Sequence, residues 1–487
     1  MKNNFKLNII LISFMFISSL AFANTLPKQA LKTNTQVVYN KTQEQVNNLS
    51  DMFSKGDFYG RLRSNTFYFA YQKNDISHST QLVSGLGTSL IYKSAVLNGF
   101  DFAVGLYSAN SFFDNNRDPI SNLKPSKDLL SRFDYINRGD KSISVLGQAN
   151  ISYRFATTKI QLGRELVETF YTKSNDTKMV PNTFDGLLIS TKAIPASNLK
   201  LAYLYKQKLR DHTVAHSVLM YGDANSSSSL KPQWTQNDDS AMHKGLTYTA
   251  LKNANKATDA PLIVLDFQNK SLKNTKINIA SYMVPKLLSQ AMLELQYKIK
   301  FHDFSITPAF RYIKQFDNGA GAVGGASLTT KNLNAYKNPS SLNAQMIAMK
   351  IVTKIDKYKI NLGYSNILNE GDLLTPWRAF PTAGYTRSMG IYNWRANTKS
   401  YRLELVKGAN KHGVYKSPFI QTSVLYVDGD KQKGEYDAMY YYAGIVQNIP
   451  SMPELQYRVR VGYMNFVGDS SSVSDFVDSR LEFNYLF

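Results

Sequence analysis

The chain of 487 residues contains no cysteine. This absence excludes a disulfide-linked scaffold, thiolate-ligated zinc or iron–sulfur sites, and a cysteine nucleophile. Beyond the N-terminus the sequence also has no apolar run of about 18 residues, the length that a membrane-spanning helix needs. A helical membrane protein is therefore excluded as well.

Acidic residues are few compared with basic ones: 36 Asp and Glu stand against 57 Lys and Arg, which gives a formal net charge of +21. Only 43% of the residues are apolar and the mean hydropathy is −0.31, yet the chain has 31 Tyr and 27 Phe. So many aromatic residues argue against wholesale disorder. The chain is basic, hydrophilic on average, and too long for one ordinary soluble core.

The N-terminus has the pattern of a secretory signal peptide. Two lysines precede an apolar stretch from Ile9 to Leu20, which ends at the A-x-A site Ala21-Phe22-Ala23. Cleavage before Asn24 would leave 487 − 23 = 464 residues and a net charge of 21 − 2 = +19. The alternative is a membrane anchor, for which this stretch is short. Export without cysteine fits a bacterium with two membranes.

From Phe58 to the last residue, apolar and polar residues alternate. The pattern occurs in the segments 143–155, 199–205, 293–299, 304–312, 358–364, 455–463 and 481–487. In the first of these it places Ile143 and Val145 on the same apolar face as Ile151. Because successive side chains of a strand point to opposite faces, each segment is predicted to be a strand with one apolar and one polar face.

This pattern is typical of outer-membrane barrels, which have an apolar lipid-facing surface, a polar lumen and aromatic girdles. A soluble sandwich also alternates, but it rarely needs so long a series of strands. At about 25 residues per strand with its loop, the 464 residues suggest ~16 to 18 strands. We therefore predict an all-β fold, a transmembrane antiparallel β-barrel of about 18 strands, wide enough for an aqueous channel.

The chain divides into a signal peptide (1–23), a polar lead-in (24–56) and the barrel (57–487). Within the lead-in, Val46, Leu49 and Met52 have helical spacing, which predicts a short, partly helical segment at the periplasmic rim or one that is partly disordered. At the other end, an apolar stripe occupies alternate positions of the last strand. This stripe resembles the C-terminal strand that the barrel-assembly machinery recognises in porins, and it consists of Leu481, Phe483, Tyr485 and Phe487.

Several phrases resemble the OprD-type (substrate-selective) outer-membrane porin family, most closely its members in epsilon-type proteobacteria. They lie at 60–64, 161–164, 178–186, 234–246 and 315–321, in the family's order. The resemblance implies an inward-folded constriction loop after residue 164 and a ladder of basic residues that guides carboxylates to a narrow eyelet. One departure is Thr169-Phe170, where the family often has Thr-Pro.

Basic residues opposite the apolar stripes should face water, because a lipid-facing charge at the membrane midplane costs about 2–4 kcal/mol. By the resemblance, these residues form the ladder, with Arg164 at the eyelet. The predicted pore-lining set is Arg61, Arg63, Arg154, Arg164, Lys298, Lys300, Arg311, Arg402, Arg458, Arg460 and Arg480. The alternative for each residue is a rim or loop position beside lipopolysaccharide phosphates. For the loop lysines Lys173, Lys178, Lys331 and Lys337 we expect solvated positions.

The predicted constriction loop and its flanks contribute Glu165, Glu168, Lys178, Pro181 and Asp185. Glu168 and Asp185 could form an acidic patch that opposes the basic ladder. The alternative is that these carboxylates only keep the loop soluble.

The sequence therefore predicts a porin for passive diffusion of small hydrophilic solutes, with a preference for anions or carboxylates. The alternatives are a non-selective general-diffusion porin and a surface adhesin or structural barrel with an incidental pore. We expect no enzyme activity, catalytic residue, cofactor, metal or nucleic-acid partner. The expected partners are outer-membrane lipid, lipopolysaccharide and the barrel-assembly machinery, and the expected location is a bacterial outer membrane. The resemblance implies a monomer or a loose homotrimer.

Overall fold

A computed structural model describes residues 27–32, 35–72, 80–114, 127–220, 241–408, 413–468 and 473–487. The predicted signal peptide and most of the phrase at 234–246 lie outside these residues. The alternating segments form a closed antiparallel barrel of 18 spanning strands. The predicted fold class and strand number are therefore confirmed.

The spanning strands are numbered in chain order. They are β1 Asp57–Tyr71, β2 Gln81–Lys93, β3 Phe100–Asp114, β4 Ser142–Phe155, β5 Thr158–Glu165, β6 Thr183–Thr191, β7 Ser197–Lys208, β8 Leu262–Asn269, β9 Thr275–Val284, β10 Leu288–Tyr297, β11 Phe304–Asp317, β12 Ala344–Ile355, β13 Tyr358–Ile367, β14 Lys399–Lys407, β15 Phe419–Asp428, β16 Ala438–Ile449, β17 Met452–Phe466 and β18 Phe476–Leu486. Strand β18 pairs with β1 from Phe476↔Tyr71 to Leu486↔Arg61, and this pairing closes the barrel.

The two rims of the barrel differ. Because consecutive strands are antiparallel, the start of β1 and the C-terminal Phe487 lie at one rim, where mostly short connections such as 156–157 and 356–357 also lie. The other rim carries longer connections, among them 166–182 and 368–398. In outer-membrane barrels the short turns face the periplasm and the long loops face the outside of the cell. We call the two ends the short-turn rim and the long-loop rim.

The outward surface is apolar, as the alternation predicts. Leu362, Tyr401 and Leu403 are exposed on the outside of neighbouring strands, whereas Arg402 between the last two points inward and is buried. Strand β4 differs from the prediction. Ile143 and Val145 face the interior, while Ile151 is exposed, because the pairing with β3 shifts between Gly105 and Leu106. The extra residue of such a bulge moves every later side chain to the opposite face.

Helices are few and short. Among the described residues they are α1 Leu49–Ser54, α2 Arg132–Arg138, α3 Tyr248–Asn253 and α4 Ala320–Gly324, with 3-10 turns at Leu333–Ala335 and Lys431–Lys433. In the lead-in, Asn48 caps α1 by accepting a hydrogen bond from the backbone N–H of Asp51 at 2.8 Å. A two-stranded hairpin, Gln29–Leu31 paired with Val37–Tyr39, precedes this helix. Within the described part of the chain, no helix has both the length and the apolar character to cross a membrane.

Candidate functional site

Two loops fold into the barrel and meet there. The inward loop (166–182) follows β5, and the second inward loop (368–398) follows β13. Thr172 and Arg378 form an antiparallel bridge between them, and the backbone N–H of Lys173 donates to the carbonyl oxygen of Trp377 at 3.0 Å. The fold thus has the predicted inward-folded loop, with a second loop beside it that the sequence analysis missed.

Aromatic packing fixes the meeting point of the two loops. The ring of Tyr282, on the barrel wall, lies 4.8 Å from that of Tyr171 and 4.7 Å from that of Trp377, both near-perpendicular. All three side chains are buried. Edge-to-face contacts of this kind add about 0.5–1.5 kcal/mol to the burial of the rings. The two loops are therefore anchored to the barrel wall at Tyr282, and they narrow the channel on the side away from this residue.

The inward loop is also held by charge. Asp176 accepts hydrogen bonds from Arg61 at 2.7 Å and from Arg63 at 3.0 Å, and Arg63 also donates to its backbone carbonyl. Burial alone would raise the pKa of Asp176, but Arg63 and Arg61 outweigh it and hold the pKa below its ordinary value. Arg61 and Arg63 face inward as predicted, but they are covered by the loop and brace it instead of lining open water.

Lys178 lies in a different environment from the solvated position expected for it. Its side chain is fully buried and forms a 2.7 Å ion pair with Asp128, which is also fully buried and pairs with Arg132 at 3.2 Å. The reason is that the segment at 127–138 also enters the barrel, where Leu129 is buried against the wall. This long-range packing leaves no local signal in the sequence around Lys178.

Beside the loops remains a cavity of about 1370 Å³ with a strong excess of basic side chains. Of the residues that the structure describes, thirteen basic ones line it: Lys127, Lys159, Lys173, Lys192, Lys200, Arg210, Arg311, Arg378, Arg387, Arg402, Arg458, Arg460 and Arg480. Four carboxylates line it: Glu168, Asp266, Glu294 and Glu404. The formal charge of the lining is therefore 13 − 4 = +9. Asp478 and Glu482 are not among the lining residues but pair with three of these arginines, and counting them gives 13 − 6 = +7.

Five predicted ladder residues line this cavity, and each pairs with a carboxylate of the wall. Arg311 pairs with Glu294 at 2.5 Å and Arg480 with Asp478 at 2.9 Å. The remaining pairs are Arg402 with Glu404, and Arg458 and Arg460 with Glu482. Ion pairs fix the direction of these guanidinium groups and offset part of their charge.

Arg164 does not lie at the eyelet, contrary to the prediction. Arg164 is on the same face of β5 as the exposed Leu162. On the neighbouring strand β6, Asp185 pairs with Arg164 and Leu187 pairs with Leu162. The guanidinium donates to both oxygens of Asp185, at 2.6 and 2.8 Å, on the outside of the barrel wall. Neither residue lines the cavity. The predicted acidic patch therefore lacks Asp185.

The other predicted residues also separate. Lys298 and Lys300 are exposed in and beside the turn between β10 and β11, at the short-turn rim. Arg154 pairs with Asp101 at 2.8 Å, outside the cavity lining. These three residues therefore do not extend the ladder through the constriction.

Only part of the predicted constriction set reaches the cavity. Glu168 lines it and accepts hydrogen bonds from the backbone N–H and hydroxyl of Ser174. Glu165 is buried outside the lining. Pro181 is buried and its carbonyl accepts from Lys208 at 2.9 Å. Glu168 is thus the one member of this set whose side chain can act on a solute in the cavity.

Arg387, in the second inward loop, is a cavity residue that sequence reasoning missed. Its guanidinium lies 4.4 Å from the ring centroid of Phe380 and 5.5 Å from that of Tyr392. Among the described residues its Nε and Nη1 atoms have no hydrogen-bond partner. Burial lowers the pKa of Arg387 to about 10, so the side chain remains charged at pH 7. The tryptophans of this loop, Trp377 and Trp394, are the signal that could have revealed its inward path.

The outward position of Arg164 leads to a test. Replacing Arg164 by Gln together with Asp185 by Asn removes the pair without leaving an unpaired charge on the wall. We expect the ratio of anion to cation permeability to stay within about a factor of 1.5 of the wild type, because charges outside the wall are screened from the lumen. Reversal potentials in a salt gradient measure this ratio, and a larger loss of anion preference would place Arg164 back at the constriction.

Comparisons with known proteins place the fold. No protein-family model and no curated protein sequence matches the chain. Among solved structures, Pseudomonas aeruginosa OccK9 (OpdG) has a TM-score of 0.68 at 14% identity, covering 90% of this chain and 99% of its own. Acinetobacter baumannii OccAB3 has a TM-score of 0.66 at 14% identity, covering 88% and 99%.

A third solved structure, Pseudomonas aeruginosa OpdK with vanillate, has a TM-score of 0.64 at 12% identity, covering 88% of this chain and 98% of its own. These structural relatives are porins, which are channel proteins and not enzymes. The similarity to epsilon-proteobacterial members stays a prediction. The chain has the fold of the OprD-type (Occ) outer-membrane porins, the family that its sequence resembles.

Proposed function

We propose that the chain is an outer-membrane porin whose water-filled channel prefers small anionic solutes, above all carboxylates. The observation that carries the proposal is the cavity lining, with thirteen basic side chains against four carboxylates. A cleft lined by charge of one sign raises the local concentration of oppositely charged solutes. Rings of charged side chains are the usual source of ion selectivity in pores.

The partly paired charges suit passage as well as attraction. A channel must bind its solute strongly enough to admit it and weakly enough to release it. Arg311, Arg402 and Arg480 each have a carboxylate neighbour that weakens their hold on a passing anion. Arg387 has aromatic neighbours in place of a carboxylate. We infer a path of several moderate anion sites with Arg387 among the strongest.

The structural relatives are consistent with this solute class. The OpdK structure was solved with vanillate, a carboxylate. At 12% identity this likeness identifies a shared fold and not a shared solute. The preference of this chain for carboxylates therefore depends on its own lining residues.

The setting of the channel belongs to the same proposal. The exposed apolar residues of the outward surface need lipid around them, and a bacterial outer membrane is where barrels of this kind occur. The stripe of Leu481, Phe483 and Tyr485 lies on the outward side of β18, where an assembly factor can contact it. Contact of lysines at the long-loop rim with lipopolysaccharide, and a monomeric or loosely trimeric state, complete the proposal.

Liposome swelling with solutes of matched size tests the function. Vesicles containing the purified chain are diluted into isosmotic gluconate or sorbitol, two open-chain six-carbon polyols that differ in the carboxylate. We expect swelling in both, and faster swelling in gluconate by about two- to fivefold, because of the basic lining. Equal rates indicate a general-diffusion porin. Swelling in neither solute contradicts a porin and favours the adhesin, whose loop at 223–248 lies mostly outside the described residues.

A further inference from the structure

The hairpin of the lead-in occupies the inside of the barrel near the short-turn rim. The side-chain amide of Gln29 donates to the carbonyl of Phe487 at 3.0 Å and to that of Gly60. The carbonyl of Leu31 accepts from Gln456, whose side chain points inward from β17. Ala30 is almost fully buried. These contacts attach the first arm of the hairpin to the inner wall across the β18–β1 closure.

The end of the hairpin reaches the constriction. Thr35 and Gln36 line the same cavity as the basic residues. The side chain of Thr35 also forms a hydrogen bond with the carboxylate of Asp176, the residue that ties the inward loop to Arg61 and Arg63. The hairpin therefore extends from the rim to the inward loop and contacts the group that positions it.

The base of the hairpin is anchored at the rim. Lys41 pairs with Asp57, at the start of β1, at 2.5 Å. On the second arm, the ring of Tyr39 lies 4.7 Å from that of Tyr59, and the ammonium group of Lys93 lies 3.2 Å from the centroid of Tyr39. Backbone pairing between the two arms, from Gln29↔Tyr39 to Leu31↔Val37, acts together with these wall contacts to hold the segment inside the barrel.

We propose that the described residues 28–32 and 35–40 form a second constriction element, which enters the channel from the short-turn rim and limits its conductance. The inference rests on the proposed channel function. The element narrows the path opposite the loops that enter from the long-loop rim, and through Thr35 it supports the inward loop. The polar side chains of Thr35 and Gln36 suit a position in the water path. The lead-in is thus part of the pore.

The absence of native cysteine allows a clean test. A single cysteine replaces Gln36, which lines the cavity, or Lys298, which is exposed at the rim and serves as the control. Each variant is inserted into a planar bilayer and treated with an anionic methanethiosulfonate reagent. We expect modification at position 36 to lower single-channel conductance by roughly a quarter to a half, because bulk and negative charge are added in the path. Modification at position 298 should change it by less than about a tenth, because that site is outside the constriction.

Deletion of residues 28–40 is the second variant. We expect its conductance to rise about 1.5- to 2-fold, because a hairpin leaves the lumen. A conducting wild type whose Q36C variant is unaffected by the reagent, after labelling is verified by mass, overturns the hairpin proposal and leaves the porin function standing. A wild type that does not conduct contradicts the porin function itself. If the deletion variant does not assemble, the Q36C measurement decides alone.

Discussion

Replacing Arg387 by Glu is expected to lower the ratio of anion to cation permeability about tenfold. The change alters the charge of the cavity by two units. We take this change of two charges to lie ~8 Å from the solute path, at an effective dielectric constant between those of water and protein. It then raises the energy of a passing anion by about 1 to 2 kcal/mol. Each 1.4 kcal/mol corresponds to about a factor of ten.

The effect should be larger at Arg387 than at the paired arginines. Arg480 and Arg311 each lie beside a carboxylate that offsets their field. Arg387 instead lies over Phe380 and Tyr392, and no carboxylate among the described residues pairs with it. The aromatic faces hold the guanidinium by cation–π attraction without cancelling its net charge. Its charge therefore acts on solutes in the cavity with little compensation.

Two controls separate charge from packing. Arg387→Lys keeps the positive charge and should retain most of the anion preference, within about a factor of three. Lys298→Glu makes the same change of two charges at the exposed short-turn rim, where salt screens it, and should shift the ratio by less than about a factor of two. Reversal potentials at low ionic strength measure all three variants. A similar loss in Arg387→Glu and Lys298→Glu would refute the role of Arg387.

Replacing Asp176 by Asn should release the inward loop. The change leaves Arg61 and Arg63 buried without the carboxylate that they share. Removal of one partner of a buried ion pair costs about 3–5 kcal/mol, which is a factor of roughly 10² to 4 × 10³ in the equilibrium between the held and the released loop. We expect frequent flickering of single-channel current at pH 7 in the variant and a steady current in the wild type.

Acid should reproduce this effect in the wild-type chain. The pKa of Asp176 is held below its ordinary value of 3.8, so its contribution to stability is present above pH 3.8. That contribution is lost as the pH falls through the lower pKa of the folded state. Flickering should therefore begin only below about pH 4 and be absent in the neutral range.

A matched control for Asp176 is Asp303→Asn. Asp303 is exposed in the turn between β10 and β11, where its carboxylate lies 2.6 Å from the Nδ1 atom of His302. Its replacement should leave the current steady at pH 7. If Asp176→Asn is as steady as this control, the ion pairs of Asp176 do not hold the inward loop.

The barrel could be predicted from the sequence because apolar and polar residues alternate along its strands. Lipid outside and water inside impose alternation on every strand, and strand parity alone placed Arg311, Arg402 and Arg480 inward. Parity fails where the register shifts, as in β4, where Ile143 and Val145 face the interior. It also fails at the strand ends, as at Lys298 and Lys300, which are exposed at the short-turn rim. A bulge of one residue has no distinct signature in an alternating pattern.

Arg164 shows where resemblance misled. Its own strand places it on the face of Ile160 and Leu162, which is the outward face. The position before the constriction loop suggested the eyelet, but Arg164 stands two residues after Leu162 and therefore shares its face of the strand. Where a family pattern and strand parity disagree, the energetic cost of placing an apolar stripe in water favours parity.

The contents of the lumen could not be predicted in the same way. Asp176 meets Arg61 across 115 positions of sequence, and Lys178 meets Asp128 across 50. Such contacts depend on the path of loops that have no periodicity of their own. The composition indicates the path of the second inward loop alone. Trp377 and Trp394 would be exposed aromatic residues if that loop stayed outside the barrel.

The basic lining should give the wild-type channel a preference for anions. The most direct measurement is the zero-current potential of the wild-type channel in a planar bilayer between two concentrations of potassium chloride. Because the lining residues carry a formal charge of +9, we expect a zero-current potential with the sign of a chloride-selective channel. Chloride should be favoured over potassium by about three- to tenfold. A potential near zero, or one of the sign set by potassium, would contradict it.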